Sequence, residues 1–215
     1  MKKILVIFTF LLSFILPANA DVMPYYVNNL NSNSIGVYQA SSNVKIYKEP
    51  NENSKLLLNV SWEAKNFNCT DVSVSNLFVV FLPQKDLAFL TVVDENDNED
   101  WFQISYNQNG FKTGWVKKED DYRFMSWRTF FNLYGRKYGL YYMKDAPEES
   151  KIIYGSTSDD AKSIGKITLA QTLKLTNISG NWVLIIAYDV DKTQKIGWIK
   201  WRNLSGEIYL FPNIK

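Results

Sequence analysis

Trp101 and Trp115 stand in the two strands of one candidate hairpin, and Trp182 and Trp198 take the same places in another. Indole and phenol rings at such positions can stack on sugar rings or clamp a peptide backbone, while their N–H and O–H tips anchor hydrogen bonds. Trp101-Phe-Gln-Ile-Ser-Tyr106 runs on to Lys112-Thr-Gly-Trp-Val116, and Trp182-Val-Leu-Ile-Ile-Ala-Tyr188 runs on to Lys195-Ile-Gly-Trp-Ile199. Trp115 and Trp198, in the closing strands, read as packing residues. Trp101 and Trp182 begin exposed hairpin strands and are the better ligand contacts. Alternation along strands adds Tyr47, Tyr106 and Tyr188 to the candidate binding face. Seven Trp and an aromatic share of 15% exceed what a core alone demands.

Other chemistry finds little to work with. The chain has no His, so neither Cys-His nor Ser-His nucleophile pairs can be built, nor His-containing zinc sites. The single Cys69 cannot form an intramolecular disulfide and reads as a small, buried or half-buried side chain. In the acidic run from Asp94 to Asp100, Asp94, Asn96 and Asn98 match the alternating oxygen ligands of a calcium loop. Glu99 stands where that loop needs Gly, and Ser105 where it needs Glu; the run reads as a solvated hairpin loop. Asp71, Asp120, Asp121 and Asp189 are too scattered to predict the converging pair that glycoside cleavage requires. No catalytic residue, metal site or cofactor is expected, and the chain reads as a non-enzyme.

The N-terminus sets the compartment. Met1-Lys2-Lys3 precedes an apolar stretch from Ile4 to Ile15, and Ala18 and Ala20 place small residues at a signal-peptidase site. Residues 1–20 are therefore expected to be a secretory signal, with an uncleaved anchor as the alternative. Without Lys2 and Lys3 the remaining Lys and Arg equal the 22 acidic residues, which argues against nucleic acid as partner. Phe78-Val-Val-Phe-Leu82 is the strongest later apolar run and has strand length, so no integral span is expected in the mature chain. The expected location is periplasmic or extracellular.

The elements that must position the aromatics are short, alternating and rich in β-branched residues. The repeated hairpin predicts two units: 21–121 with an insertion at about 59–86, a linker over 122–137, and 138–215. Upstream, Tyr47-Lys-Glu-Pro50 followed by Ser54-Lys-Leu-Leu57 is matched to Met143-Lys-Asp-Ala-Pro147 followed by Ser150-Lys-Ile-Ile153. Phe89-Leu-Thr91 and Leu173-Lys-Leu-Thr176 supply a central strand before each hairpin. The insertion, with Trp62, Cys69 and Leu77 to Leu82, is expected to form an added hairpin or enlarged loop. The aromatic linker Met125 to Tyr134 reads as a short helix capped by Ser126 and stopped by Gly135, packed between the units; a strand over Arg128 to Leu133 competes with it.

Both halves resemble the bacterial SH3-like (SH3b) domain, whose pattern is a strand, a Pro-containing loop, an aliphatic strand, a "GDWYKV"-like strand and a closing "GKTGWV" strand. The first half carries Lys45-Ile-Tyr-Lys-Glu-Pro50, Ser54-Lys-Leu-Leu57, Glu99-Asp-Trp-Phe-Gln-Ile104 and Phe111-Lys-Thr-Gly-Trp-Val116. The second carries Tyr142-Met-Lys-Asp-Ala-Pro147, Ser150-Lys-Ile-Ile153, Gly180-Asn-Trp-Val-Leu-Ile185 and Lys195-Ile-Gly-Trp-Ile199. The resemblance implies an all-β protein of two tandem SH3-like small barrels joined by a short aromatic-rich linker helix. It further implies non-catalytic binding in the bacterial cell envelope, to peptidoglycan or a protein or peptide ligand. The alternative is a structural or assembly factor that docks onto an envelope protein without touching wall polymer. The step from fold to ligand is analogy.

Overall fold

The computed structural model describes residues 29–64, 66–95, 100–107, 111–143, 145–168 and 171–214. The expected signal over 1–20, residues 96–99 of the acidic run and residues 108–110 lie outside them. Among the described residues no helix is long and apolar enough to cross a membrane.

Strands dominate, and they form two antiparallel sheets. The first contains β1 (Gly36–Gln39), β2 (Asn43–Tyr47), β3 (Leu56–Glu63), β4 (Asn66–Asn68), β5 (Phe78–Leu82), β6 (Leu87–Glu95), β7 (Trp101–Asn107), β8 (Lys112–Lys117) and β9 (Phe124–Ser126). The second contains β10 (Leu140–Tyr142), β11 (Ile152–Tyr154), β12 (Ser163–Lys166), β13 (Thr172–Ser179), β14 (Trp182–Tyr188), β15 (Gln194–Lys200) and β16 (Leu210–Pro212). With β4 and β5 set aside, the orders match strand for strand: β3-β2-β8-β7-β6-β1-β9 against β12-β11-β15-β14-β13-β10-β16. Among the described residues both paths are open rather than closed into barrels. The stretch expected to be linker contributes β9, which pairs with β1 at the sheet edge.

Alternation builds these strands where one face is buried. In β2, Val44 and Ile46 point inward and their neighbours outward. In β13 the buried residues are Leu173, Leu175 and Ile178, a spacing that breaks the two-residue period. A register shift between Leu175 and Asn177 absorbs the extra residue and returns Ile178 to the core face.

The insertion adds more than a loop. β3 and β4 form a hairpin in which Trp62 faces Phe67. Trp62 meets Phe78 and Phe81 edge-on at 5.2 and 5.4 Å. One helical turn, α1 (Val74–Leu77), leads into β5, which pairs with β6. Every residue of β5 is buried because the strand lies between two cores. Phe78 and Phe81 pack into the core of the first half; Val79, Val80 and Leu82 pack into a core shared with the second. A strand buried on both faces reads as an unbroken apolar run.

The aromatic segment is helical, as expected, but longer. It runs as α2 (Trp127–Phe130), a π turn (Phe131–Gly135) and α3 (Arg136–Tyr138). The Ser126 hydroxyl accepts the Thr129 N–H at 3.2 Å, satisfying one free donor of the first turn. Gly135 does not stop the helix. A Cβ there would lie 3.0 Å from Leu175 Cδ2, so its lack of a side chain serves close packing on β13. Gly139, with φ of 76°, ends the helix instead. Phe130 meets Phe89 at 5.5 Å, Trp127 meets Trp201 at 5.2 Å and Phe131 meets Trp201 at 4.8 Å. The helix is thus the middle of one core spanning both sheets.

Candidate functional site

Each half is folded across itself at one point. β2 meets β8 through the pair Tyr47 and Trp115, and β11 meets β15 through Tyr154 and Trp198. The Gly before each Trp makes that crossing possible. A Cβ on Gly114 would stand 2.5 Å from Ile46 Cγ2, and one on Gly197 would stand 2.4 Å from Ile153 Cγ2. The structural counterpart of Ile46-Tyr47 is therefore Ile153-Tyr154. The upstream match expected from sequence is out of step: Pro50 lies in the β2–β3 connection, whereas Pro147 lies between β10 and β11.

Around each crossing the same four groups recur. Tyr47 meets Trp101 edge-on at 5.7 Å and 85°, and Tyr154 meets Trp182 at 5.5 Å and 88°. Lys117 is the cross-strand partner of Trp101, and Lys200 that of Trp182. Each Lys pairs with an acid from the loop that follows the Tyr: Lys117 with Glu52 at 2.5 Å, and Lys200 with Asp159. Glu52 stands five residues after Tyr47, as Asp159 does after Tyr154. The hydrogen bond from Lys117 holds the Glu52 carboxyl below its usual range, and Glu52 in turn raises Lys117. Lys200 Nζ also sits 5.0 Å from the centre of the Trp182 ring, a cation–π contact.

Shallow cavities open beside these groups. In the first half, about 220 Å³ lies between Tyr47, Lys45, Asn43, Glu52 and Lys117. In the second, about 240 Å³ lies between Trp182, Lys200, Asp159 and Asn203, and about 150 Å³ between Tyr154, Lys200 and Glu149. All are smaller than the roughly 300–1,000 Å³ of pockets that enclose a small molecule. They suit single side chains or sugar units of a longer ligand. Their rims carry aromatic rings with both signs of charge: Lys45, Lys117, Glu52 and Glu119 in the first half, and Lys200, Arg202, Asp159 and Glu149 in the second.

The candidate residues separate on this frame. Tyr47 and Trp101 come together, and Trp182 joins Tyr154 rather than Tyr188. Trp101 and Trp182 are each only 8% exposed, against the expectation that they begin exposed strands. Trp115 and Trp198, expected to be packing residues, are half-buried. Tyr47 and Tyr154 meet the first pair edge-on and Lys200 lies over Trp182, whereas the second pair, on the same sheet faces, lacks that cover. Tyr106 alternates with Phe102 and Ile104 and packs against the first core, on the face opposite Trp101. Tyr188 shares the Trp182 face but lies at the far end of β14, where Lys174 Nζ is 5.1 Å from its ring. Sequence reasoning missed Glu52, Lys117, Tyr154, Asp159 and Lys200. The signal was the common five-residue step from Tyr to acid, visible once Ile-Tyr is aligned with Ile-Tyr.

Cys69 is half-buried against the aromatics of the first core. Asp71, Asp120 with Asp121, and Asp189 fall in three separate connections after β4, β8 and β14. Among the described residues no three His, Cys, Asp or Glu side chains are grouped to hold a metal ion. No protein-family model and no curated protein matches this sequence.

Proposed function

We propose that the chain is an exported, non-catalytic binding protein of the bacterial envelope, made of two SH3-like units that each recognise part of a polymeric ligand, with peptidoglycan as that polymer. The observation that carries this reading is the repetition of Tyr, Trp, Lys and acid around the same strand crossing in both halves. A duplicated recognition surface of small, open grooves fits a ligand that itself repeats, because two weak contacts on one chain multiply through effective concentration. The identical strand orders and the paired Gly-Trp crossings support the SH3-like assignment of each half. The positively started apolar leader, which ends in Ala18 and Ala20, supports export.

The test is retention of residues 21–215 on purified sacculi, with denatured protein as the control for adhesion. Saturable retention is expected, and retention no greater than the denatured control would sink the wall reading. One observation favours docking onto an envelope protein instead: Leu204, on the rim of the 240 Å³ groove, is 82% exposed. Under that reading the protein ignores sacculi and crosslinks in the native envelope to one stoichiometric partner, and the crosslink is lost in Leu204→Asp.

A further inference from the structure

Between the two sheets lies a further and larger cavity, of about 550 Å³, which shares only Arg202 with the 240 Å³ groove of the second half. Ser34, Ile35 and Trp127 line it from the first half and the helix, and Asn177, Gly180 and Arg202 from the second. Arg202 is unusual. Its side chain is buried, with 9% of the residue exposed, and among the described residues no carboxylate pairs with it. Its guanidinium donates to neutral oxygens only: Nε to Asn181 Oδ1 at 2.7 Å, Nη1 to Ser34 Oγ at 2.7 Å and Nη2 to the Ser34 carbonyl at 3.3 Å. It lies 4.7 Å over the Trp201 ring and 5.9 Å from the Trp127 ring.

These contacts tie Ser34 of one half to Asn181 of the other, so Arg202 is a clamp. They do not neutralise it. Three hydrogen bonds leave part of the donor fork unused, and an unpaired buried charge costs far more than a buried polar group. The lining supplies a second cation, Arg128, and no acid. Burial lowers the Arg202 guanidinium from its ordinary value to about 10.

We propose that the inter-sheet cleft is a carboxylate-binding site, in which Arg202 receives the carboxylate of a peptide terminus or an acidic side chain. The planar fork of a guanidinium matches a carboxylate. Arg128 is exposed, so Arg202 is the one buried cation of the lining and balances a single negative charge. Ile35 and the Trp127 ring give the carbon stem behind the carboxylate an apolar wall. The cleft shares Arg202 with the Trp182 groove, but the rest of its lining, from Ser34 and Ile35 to Gly180, is its own.

The test follows the indole N–H signals of Trp127 and Trp201 by NMR while the full mature chain is titrated with acetyl-dialanine, its carboxamide, acetyl-glutamic acid amide and inorganic phosphate. Saturable shifts of both indoles are expected with the two carboxylates and not with the carboxamide or phosphate. The first carboxylate reports a terminal carboxyl and the second a side-chain one. Equal response to the carboxamide, a response to phosphate alone, or no saturable shift overturns the proposal. Arg202→Gln is expected to abolish the shifts, but it also removes the clamp. Ile35→Glu leaves Arg202 in place and sets a tethered carboxylate at the cleft wall, from a side chain that is 41% exposed. It is expected to weaken acetyl-dialanine at least tenfold, while Ile35→Gln binds as wild type. If Ile35→Glu and Ile35→Gln bind alike, the site is not there.

Discussion

Ile153 Cγ2 lies 2.4 Å from the point where a Cβ on Gly197 would sit, and the Tyr154 carbonyl oxygen lies 2.8 Å from it. Neither neighbour can retreat easily, because Ile153 is buried in the shared core and Tyr154 is held in the ladder to Trp198. Gly197→Ala is therefore expected to cost roughly 1–3 kcal/mol, the range for overpacking a filled interior. Gly114→Ala, opposed by Ile46 at 2.5 Å, should cost about the same. In Gly165→Ala the added methyl meets side chains at 3.7 and 3.8 Å, and the change should stay within about 0.5 kcal/mol. Urea unfolding midpoints of the three variants check the ranking; equal midpoints would refute the crossing argument.

The Trp hairpins were readable from sequence because both strands and the turn between them are local in the chain. The counterpart of Tyr47 was not. Its identity is set by which strand crosses the Gly-Trp strand, a contact between residues as far apart as Tyr47 and Trp115, and the local similarity of two Pro loops pointed elsewhere. The exposure of the Trp residues was inverted for a related reason. The register sets Trp101 and Trp115 on the same sheet face, and it is Tyr47, distant in the chain, that covers Trp101. The run Phe78 to Leu82 has strand length in the sequence, yet its burial on both faces depends on a second core that the sequence does not announce.

Tyr47→Ala and Tyr154→Ala each remove the ring that closes one groove while leaving the strand ladders in place. An edge-on aromatic pair contributes about 0.5–1.5 kcal/mol beyond its buried area, so both variants should remain folded. If the two grooves hold one polymer together, either change alone should lower apparent affinity for sacculi by roughly a hundredfold, since bivalent binding gains about 10²–10⁴ over a single contact. The double variant should then lose little more. Additive, modest losses from the two singles would indicate grooves that act independently.

Phe131 is fully buried between Trp201 and Phe211, in the helix that forms the middle of the shared core. Truncating a buried Phe costs about 3–5 kcal/mol. Because that core includes Val37 and Phe89 from the first sheet as well as Val183 and Ile199 from the second, Phe131→Ala should destabilise both halves together. The expected record is one cooperative unfolding transition, shifted to lower urea, by tryptophan fluorescence and by far-ultraviolet circular dichroism alike. Two separated transitions, with the first half unmoved, would mean that the helix belongs to the second half alone.

Tyr38 is one of the buried phenols that make this fold sensitive to alkali. Burial pushes its phenol up from the ordinary 10 to about 12, and the hydrogen bond it accepts from the Glu119 backbone N–H at 2.9 Å offsets only part of that rise. Above pH 10 the unfolded chain releases this proton while the folded chain keeps it, so the unfolded state binds fewer protons and stability falls as pH increases. The contribution is complete below about pH 10 and is lost as pH rises through about 12. Tyr38→Phe cannot ionise in either state, so its stability should decline less steeply between those limits. Burial also raises Tyr134 and Tyr142, so the slope should shrink rather than vanish. Urea midpoints at pH 8, 10 and 11.5 for the wild type and Tyr38→Phe measure it. Parallel declines would show that the Tyr38 phenol ionises as freely in the fold as outside it, and that its burial exerts no hold on the proton.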